Sequence, residues 1–186
     1  MTQLTPLQRA YLDRLAVWSD IQEYLPLLYD FARLCDKARV LELGTRRGFS
    51  TLALLAGAEE SGGHVWSSDI NDVTTDPDGM KAWAGCGTWT FVHGDDMDPD
   101  VQARLPAEVD VLFIDTSHEY EHTVREIEVF LPRVVPGGAA LFHDTRFVFE
   151  PDEIPPVGKA LEEHCAKTGT KWVHLPEGYG MGIIRV

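Results

Sequence analysis

Two aspartates that follow short apolar runs, Asp115 and Asp144, are each accompanied by a histidine. His118 comes three positions after Asp115, and His143 directly precedes Asp144. An imidazole can act as a general base near neutral pH, and paired carboxylates can hold a hard cation that lowers the pKa of a bound hydroxyl. We therefore expect a general base that removes a proton from a bound substrate, with His118 as the first candidate and His143 as the second. A Mg²⁺ ion on the two aspartates is a further device, and helix capping or a solvated loop is the alternative for both aspartates.

A glycine turn marks a second candidate site. The apolar run Val40 to Leu43 is followed by Gly44 and Gly48, and a segment of helical character begins at Phe49. Glycine permits a sharp turn, and the free backbone N–H groups at a helix start favour a carboxylate or a phosphate. The pattern is typical of a cofactor site, unless the turn only connects a strand to a helix.

Acidic residues at the ends of the next two apolar runs favour a nucleoside at this turn. Asp69 follows Gly44 by 25 positions, which is the usual place for a carboxylate that accepts hydrogen bonds from both ribose hydroxyls. Asp95 and Asp96 follow the next run, and either could face an adenine amino group. A helix cap or a solvated loop is the alternative position for Asp69.

Other cofactor motifs fail. Arg46 stands where the dinucleotide fingerprint needs a second glycine, which disfavours a pyrophosphate. No tyrosine is followed four positions later by a lysine, so the short-chain dehydrogenase pair is missing. A P-loop is also missing, because Lys159 is followed by Ala160 instead of serine or threonine.

Composition limits the class of protein. The 186 residues carry 16 basic and 30 acidic side chains, a formal net charge of −14, which argues against nucleic acid or an anionic membrane as the main partner. No apolar run approaches the roughly 20 residues of a membrane helix. Cys35, Cys86 and Cys165 form no Cys-x-x-Cys pair, so we expect reduced thiols in the cytoplasm. The remaining histidines have no spacing typical of a metal cluster; they are His64, His93, His122, His164 and His174.

Alternation of apolar runs and amphipathic segments predicts an α/β fold with a parallel sheet covered on both faces. Two helices precede it, the first with a capping-box pattern at Thr5, Pro6 and Gln8. The second starts near Ser19 and Asp20, and Pro26 predicts a kink or a slightly late beginning there. The predicted strands are 39–43, 64–69, 88–93, 109–115, 139–143, 170–175 and 180–186, and the segments between them with helical character are 49–59, 77–84, 99–105, 119–131 and 156–168.

The last two strands break this alternation, because only the four residues from Pro176 to Tyr179 separate them. That distance is too short for a crossover helix, so we expect a hairpin and one antiparallel strand. No linker divides the chain, which predicts one domain over 1–186, with a helical cap at 1–38 and a cofactor-binding core at 39–186. Turn-rich stretches at 71–79 and 146–156 fall at strand ends, where open α/β sheets place their ligands.

The chain resembles the class I S-adenosylmethionine-dependent methyltransferases over about residues 39–186, in the motif LELG at 41–44, in Gly48 and Asp69, and in the terminal hairpin. The segments 113–121 and 136–145 are similar to a small subgroup akin to the macrolide-sugar O-methyltransferases. This resemblance implies a Rossmann-like seven-stranded sheet in the order 3-2-1-4-5-7-6. It also implies S-adenosylmethionine with its methionine end near Gly44 to Gly48, its ribose at Asp69 and its adenine near Asp95 or Asp96.

The implied activity is methyl transfer to a small molecule. A hydroxyl oxygen is the first candidate for the accepting atom, and nitrogen or carbon is the alternative. An NAD-type oxidoreductase and a noncatalytic S-adenosylmethionine-binding protein are the alternatives, and a homodimer is a further expectation. The candidate cofactor contacts are Glu42, Gly44, Arg46, Gly48, Ser50, Asp69, Ile70, Gly94, Asp95, Asp96 and Asp115; the candidate catalytic residues are His118, Asp115 and His143; the candidate metal ligands are Asp115 and Asp144; and the candidate acceptor walls are Trp18, Tyr24, Phe147, Phe149 and Tyr179.

Overall fold

A seven-stranded mixed sheet is the centre of the fold in the computed structural model, which describes residues 3–77 and 79–186. Its strands are β1 (Arg39–Leu43), β2 (His64–Asp69), β3 (Trp89–His93), β4 (Val109–Ile114), β5 (Val134–His143), β6 (Trp172–Leu175) and β7 (Met181–Arg185). Their order is β3-β2-β1-β4-β5-β7-β6, so the predicted fold class is confirmed. β7 pairs antiparallel with both β5 and β6, which confirms the terminal hairpin. Met1, Thr2 and Asp78, which belong to the predicted cap and the 71–79 stretch, lie outside the described residues.

Helices cover both faces of this sheet. They are α1 (Pro6–Leu15), α2 (Leu25–Leu34), α3 (Phe49–Ser61), α4 (Pro99–Gln102), α5 (Tyr120–Phe130) and α6 (Pro156–Thr168). One apolar core lies between the sheet and α1 to α3, and it includes the fully buried Leu28 and Leu54. A second core lies under α5 and α6 and includes Phe130 and Leu161. Within the described residues, no helix combines the length and apolar character needed to cross a bilayer.

The parallel register brings the carboxyl ends of β1, β2 and β4 side by side. Leu43 is level with Ser68 in β2 and with Ile114 in β4. The N–H of Gly44 donates to the Ser68 carbonyl, and the N–H of Asp115 donates to the Leu43 carbonyl, both at 2.9 Å. Residues that follow these three strands therefore meet at one edge of the sheet.

The N-terminal region agrees with the sequence at α1 and differs at α2. The Thr5 hydroxyl accepts from the Gln8 N–H at 3.1 Å and the Gln8 side chain accepts from the Thr5 N–H at 3.0 Å, which confirms the capping box. The predicted start of the second helix near Ser19 is wrong, because a 3₁₀ turn precedes α2 and the helix begins at Leu25. Pro26 lies in the first turn, where its missing N–H is tolerated.

Other predicted boundaries also change, most of them by one to three residues and two of them by more. In the segment 77–84 the described residues form only the 3₁₀ turn Lys81–Trp83, so a longer helix there is wrong. β5 begins at Val134 instead of Ala139, because Val134 pairs with Val109 across an irregularity in the β4–β5 ladder. A bulged pairing of this kind has no periodic signature in the sequence.

Candidate active site

The turn after β1 requires glycine at its first position. Gly44 has a φ of 88°, and a Cβ there would overlap the carbonyl oxygen of Asp115. Only glycine combines a left-handed backbone with so close an approach. Gly48 has a φ of 74° and is the N-cap of α3, where a Cβ would overlap the Met80 side chain. The turn therefore passes directly over the end of β4.

Asp69 connects the end of β2 to this turn. Its Oδ2 accepts hydrogen bonds from the backbone N–H of Thr45 at 2.9 Å and of Arg46 at 2.7 Å. Its Oδ1 accepts another from the N–H of Asn71 at 2.8 Å. These bonds fix the carboxylate at the edge of the sheet, beside the glycine turn, where the sequence places an acid.

Glu42 lies behind the turn in a fully buried position. Its Oε2 accepts hydrogen bonds from the Thr51 hydroxyl at 2.8 Å and the Ser67 hydroxyl at 2.6 Å, while its Oε1 has no hydrogen-bond partner among the described residues. Burial raises the pKa of Glu42 to about 7, against the lowering effect of these hydroxyls. The side chain links β1, β2 and α3 beneath the turn.

A cavity of about 420 Å³ opens at this sheet edge. An adjoining cavity of about 630 Å³ lies toward the N-terminal helices and includes Ser50 and the exposed Trp18. Two of the predicted cofactor contacts, Glu42 and Gly48, line neither of these cavities. Predicted cofactor contacts that line the first cavity are Gly44, Arg46, Asp69, Ile70, Gly94, Asp95, Asp96 and Asp115, and of these Gly44, Arg46 and Asp115 also line the second.

Four predicted residues meet at the ends of β4 and β5. His118 Nε2 lies 3.2 Å from Asp115 Oδ1 and 2.8 Å from Asp144 Oδ2. His143 Nδ1 lies 2.9 Å from the same Asp144 oxygen and 3.5 Å from Asp115 Oδ1. His143 is 1% exposed whereas His118 is partly exposed, so only His118 can approach an acceptor molecule.

The two carboxylates favour positive charge on both imidazoles. Burial lowers the pKa of His118, but its contacts with Asp115 and Asp144 raise the pKa further, to about 9. Burial also lowers the pKa of His143, but its contacts with Asp115 and Asp144 raise it further, to about 10. Burial raises the pKa of Asp115, but the two histidines lower it well below its usual range. At neutral pH the two imidazolium groups therefore lie beside the Asp115 carboxylate.

Aromatic rings stand next to His118. The ring of Phe147 lies 5.3 Å from the His118 ring, 5.1 Å from Phe149 and 5.8 Å from Tyr179, measured between centroids. Phe149 and Tyr179 are each about half exposed. Tyr24 instead is buried, and its hydroxyl lies within hydrogen-bond distance of the Leu175 carbonyl at the end of β6 and of the Glu177 carbonyl after it. Three of the predicted wall residues thus form an open aromatic surface beside the histidine.

Sequence reasoning missed one polar cluster. Asp96, His122 and Glu126 come together at the first cavity, although His122 has no metal-cluster spacing to other histidines. The available signal is the spacing of four between His122 and Glu126 on α5, which places both side chains on one helix face. Asp96 comes from the loop after β3, so its contribution depends on the fold.

The sheet order and the glycine turn between β1 and α3 match the Rossmann-like methyltransferase fold that the resemblance implies. Residues 41–145 match a family model described as a methyltransferase domain. The match covers more than half of the chain, and the chain belongs to this methyltransferase family. No curated protein sequence matches the chain.

Solved methyltransferases share this fold at low sequence identity. The O-methyltransferase from Bacillus cereus in complex with SAH is 16% identical with a TM-score of 0.72, over 100% of this chain and 93% of that one. TomG from Streptomyces achromogenes, an O-methyltransferase of tomaymycin synthesis in complex with SAM, is 16% identical with a TM-score of 0.69, over 100% and 92%. The SAH-bound methyltransferase PaMTH1 from Podospora anserina is 15% identical with a TM-score of 0.66, over 100% and 99%.

Proposed function

We propose that this protein is an S-adenosylmethionine-dependent O-methyltransferase that acts on a small molecule. The observation that carries the proposal is the position of Asp69, a carboxylate fixed beside the Gly44 turn in a cavity of about 420 Å³. A carboxylate at the end of β2 suits ribose hydroxyls, and it would repel a phosphate. The solved structures of the same fold in complex with SAM or SAH support this choice of cofactor.

The residues around the first cavity fit the parts of S-adenosylmethionine. Asp69 would accept hydrogen bonds from the ribose hydroxyls, and Asp95 or Asp96 would accept one from the adenine amino group. The backbone N–H groups at the start of α3 and the Arg46 guanidinium would attract the methionine carboxylate. Asp115 lines both cavities, so its negative charge would lie near the sulfonium.

The acceptor would lie against the aromatic surface of Phe147, Phe149 and Tyr179. Its hydroxyl would then meet the exposed edge of His118, and flat or apolar acceptor rings would pack on the aromatic side chains. Within residues 3–77 and 79–186 no inserted domain covers this surface, which fits a small acceptor or a pocket that a second subunit completes.

S-adenosylmethionine, when bound, supplies an electrophilic methyl group on a sulfonium. The chain positions the acceptor oxygen and removes its proton. His118 would receive that proton at Nδ1, because its Nε2 faces the Asp115 and Asp144 carboxylates and donates to them. To act as a base, the imidazolium that these carboxylates favour first loses its Nδ1 proton, and a cation in the adjacent cavity would favour this loss. His143 would act by positioning Asp144.

A second version of the proposal adds a divalent ion at the same place. Ligand atoms of Asp115, His118 and Asp144 lie within 4.8 Å of one another, which fits one ion. Mg²⁺ prefers an all-oxygen set, and here the His118 imidazole stands between the two carboxylates. The proton transfer to His118 therefore needs no metal ion. If His118 is the base, turnover should stay within about threefold after chelation. A loss of turnover that Mg²⁺ reverses and Zn²⁺ does not reverse would favour the metal version.

Incubation with isotopically labelled S-adenosylmethionine and a panel of phenols, sugars and amines tests the function. We expect label on a hydroxyl oxygen of at least one acceptor and none in protein with Asp69→Ala. Protein that binds S-adenosylhomocysteine but labels no acceptor would favour the noncatalytic binding protein. Stabilisation by NAD alone would favour the oxidoreductase.

A further inference from the structure

A second group of titratable side chains lies at the cavity, separate from Asp115 and Asp144. His122 Nε2 lies 3.2 Å from Asp96 Oδ1 and 3.5 Å from Glu126 Oε1. One ligand atom from each residue can be chosen so that all three lie within 4.8 Å of one another. The Thr116 hydroxyl donates to Glu126 Oε1 at 2.7 Å and fixes that carboxylate.

The carboxylates of this cluster are buried and incompletely satisfied. Glu126 is 0% exposed and Asp96 is 7% exposed. Glu126 Oε2 and Asp96 Oδ2 have no hydrogen-bond partner within residues 3–77 and 79–186. Removing a carboxylate oxygen from water is costly unless a donor or a cation compensates it. His122 Nε2 carries at most one proton, so it cannot compensate both acids.

We propose that Asp96, His122 and Glu126 form a binding site for a divalent transition-metal ion of the Zn²⁺ type. In four-coordinate zinc sites with bonds of about 2.0–2.1 Å, neighbouring ligand atoms are about 3.3 Å apart. The distances from His122 Nε2 to the two carboxylates, 3.2 and 3.5 Å, match that separation. One imidazole with two carboxylates suits zinc and its neighbours in the periodic table better than Mg²⁺.

The local electrostatics agree with a bound cation. Hydrogen bonding to Asp96 and Glu126 raises the pKa of His122 to about 10, against the lowering effect of burial. Burial raises the pKa of Glu126 to about 7. An ion at this point would replace the His122 proton and compensate both acids at once.

The ion would join two parts of the fold that border the first cavity. Asp96 belongs to the loop after β3, and His122 and Glu126 belong to α5. Asp96, His122 and Thr116 line the first cavity, so the fourth coordination position would face it. With Asp96 on the ion, Asp95 is the residue left for the adenine amino group of the proposed cofactor. We assign the ion a structural role at the floor of that cavity, and no role in methyl transfer.

Untagged protein, stripped with chelator, is titrated with ZnCl₂ in a calorimeter at mildly alkaline pH. We expect one equivalent with a Kd below about 10 μM, weakened at least about 100-fold in both His122→Asn and Glu126→Gln. Zn²⁺ should also raise the Tm of the wild type, and of neither variant. Two control variants should still bind one equivalent of Zn²⁺: Asp144→Asn, in the cluster of Asp115 and His118, and His164→Asn, on α6.

Cobalt supplies a second measurement that needs no variant. Co²⁺ added to the stripped wild type should give the visible absorption of a four-coordinate ion, and Zn²⁺ should abolish it. The proposal is wrong if the wild type binds no Zn²⁺, if binding survives in both His122→Asn and Glu126→Gln, or if Asp144→Asn removes it. Absence of the cobalt absorption would also contradict it, including where the two variants fail to fold.

Discussion

His118 Nε2 lies 2.8 Å from Asp144 Oδ2, and both residues have a left-handed backbone with a φ of 59°. Non-glycine residues adopt this conformation rarely, and strained backbone is found where a site must hold side chains in fixed positions. The contact therefore joins two strained turns, one after β4 and one after β5. It places His118 between two carboxylates, beside the aromatic surface of Phe147, Phe149 and Tyr179.

Replacement of His118 by glutamine should lower kcat about 100-fold or more, because glutamine keeps a polar side chain but accepts no proton. The affinity for S-adenosylhomocysteine should stay within about threefold, since His118 is not part of the first cavity's lining. Steady-state kinetics and calorimetry measure the two effects. His174→Gln, on exposed β6, is the control and should leave kcat unchanged. A kcat near the wild-type value for His118→Gln would remove His118 as the base.

Asp69→Asn should weaken S-adenosylhomocysteine binding by about 10- to 100-fold, because it removes the charge that strengthens hydrogen bonds from the turn and from ribose. Asp69→Ala should weaken it further. The matched control is Asp72→Asn, an exposed aspartate in the loop that follows Asp69, which should bind normally. Equal affinities for the Asp69 and Asp72 variants would contradict a ribose site at Asp69.

Gly44→Ala should lower the free energy of unfolding by about 3 kcal/mol or more, because its methyl group overlaps the Asp115 carbonyl oxygen. Gly62→Ala is the control. Gly62 also has a positive φ, 71°, but open space surrounds its Cβ position, so its variant should lose only about 1 kcal/mol. Urea unfolding measures both. If the two variants lose similar free energies of unfolding, the backbone conformation alone, without the close approach to β4, explains why residue 44 is glycine.

The buried acid Glu42 should make stability depend on pH. Because its pKa is raised in the folded protein to about 7 from 4.5, the folded state binds this proton more tightly than the unfolded state. The resulting stabilisation is complete below pH 4.5 and is lost as pH rises through about 7. Glu42→Gln should remove on the order of 2 kcal/mol of this loss between about pH 5 and pH 8.

Urea unfolding at several pH values tests this prediction, with Glu162→Gln on the exposed face of α6 as the control. The control should keep the wild-type pH dependence. If Glu42→Gln keeps it as well, the carboxyl group of Glu42 is ionised in the folded protein over the whole range.

Local signals predict the part of the fold that is regular. β1 and β2 agree with the sequence at both ends, because they are short, mostly apolar and bounded by turn residues. The Gly44 turn and Asp69 are also predictable, since each directly follows such a strand. The later start of α2 is harder to predict, because the first turn of a helix and a preceding 3₁₀ turn use similar residues.

The missed features depend on contacts between distant segments. Asp96 and His122 are 26 positions apart, and only the packing of α5 beside the loop after β3 brings them together. The sequence places His118 near Asp115, but its contact with Asp144 requires the left-handed turns at both residues. Backbone conformations of this kind in non-glycine residues leave no pattern in residue type.

Calorimetry with S-adenosylhomocysteine tests the central claim most directly, because it asks whether the cavity at Gly44 and Asp69 binds an adenosyl thioether. We predict one-to-one binding to the wild type, strong weakening in Asp69→Ala, and no binding of NAD under the same conditions. Absence of heat with both S-adenosylmethionine and S-adenosylhomocysteine, in folded protein, would contradict the account.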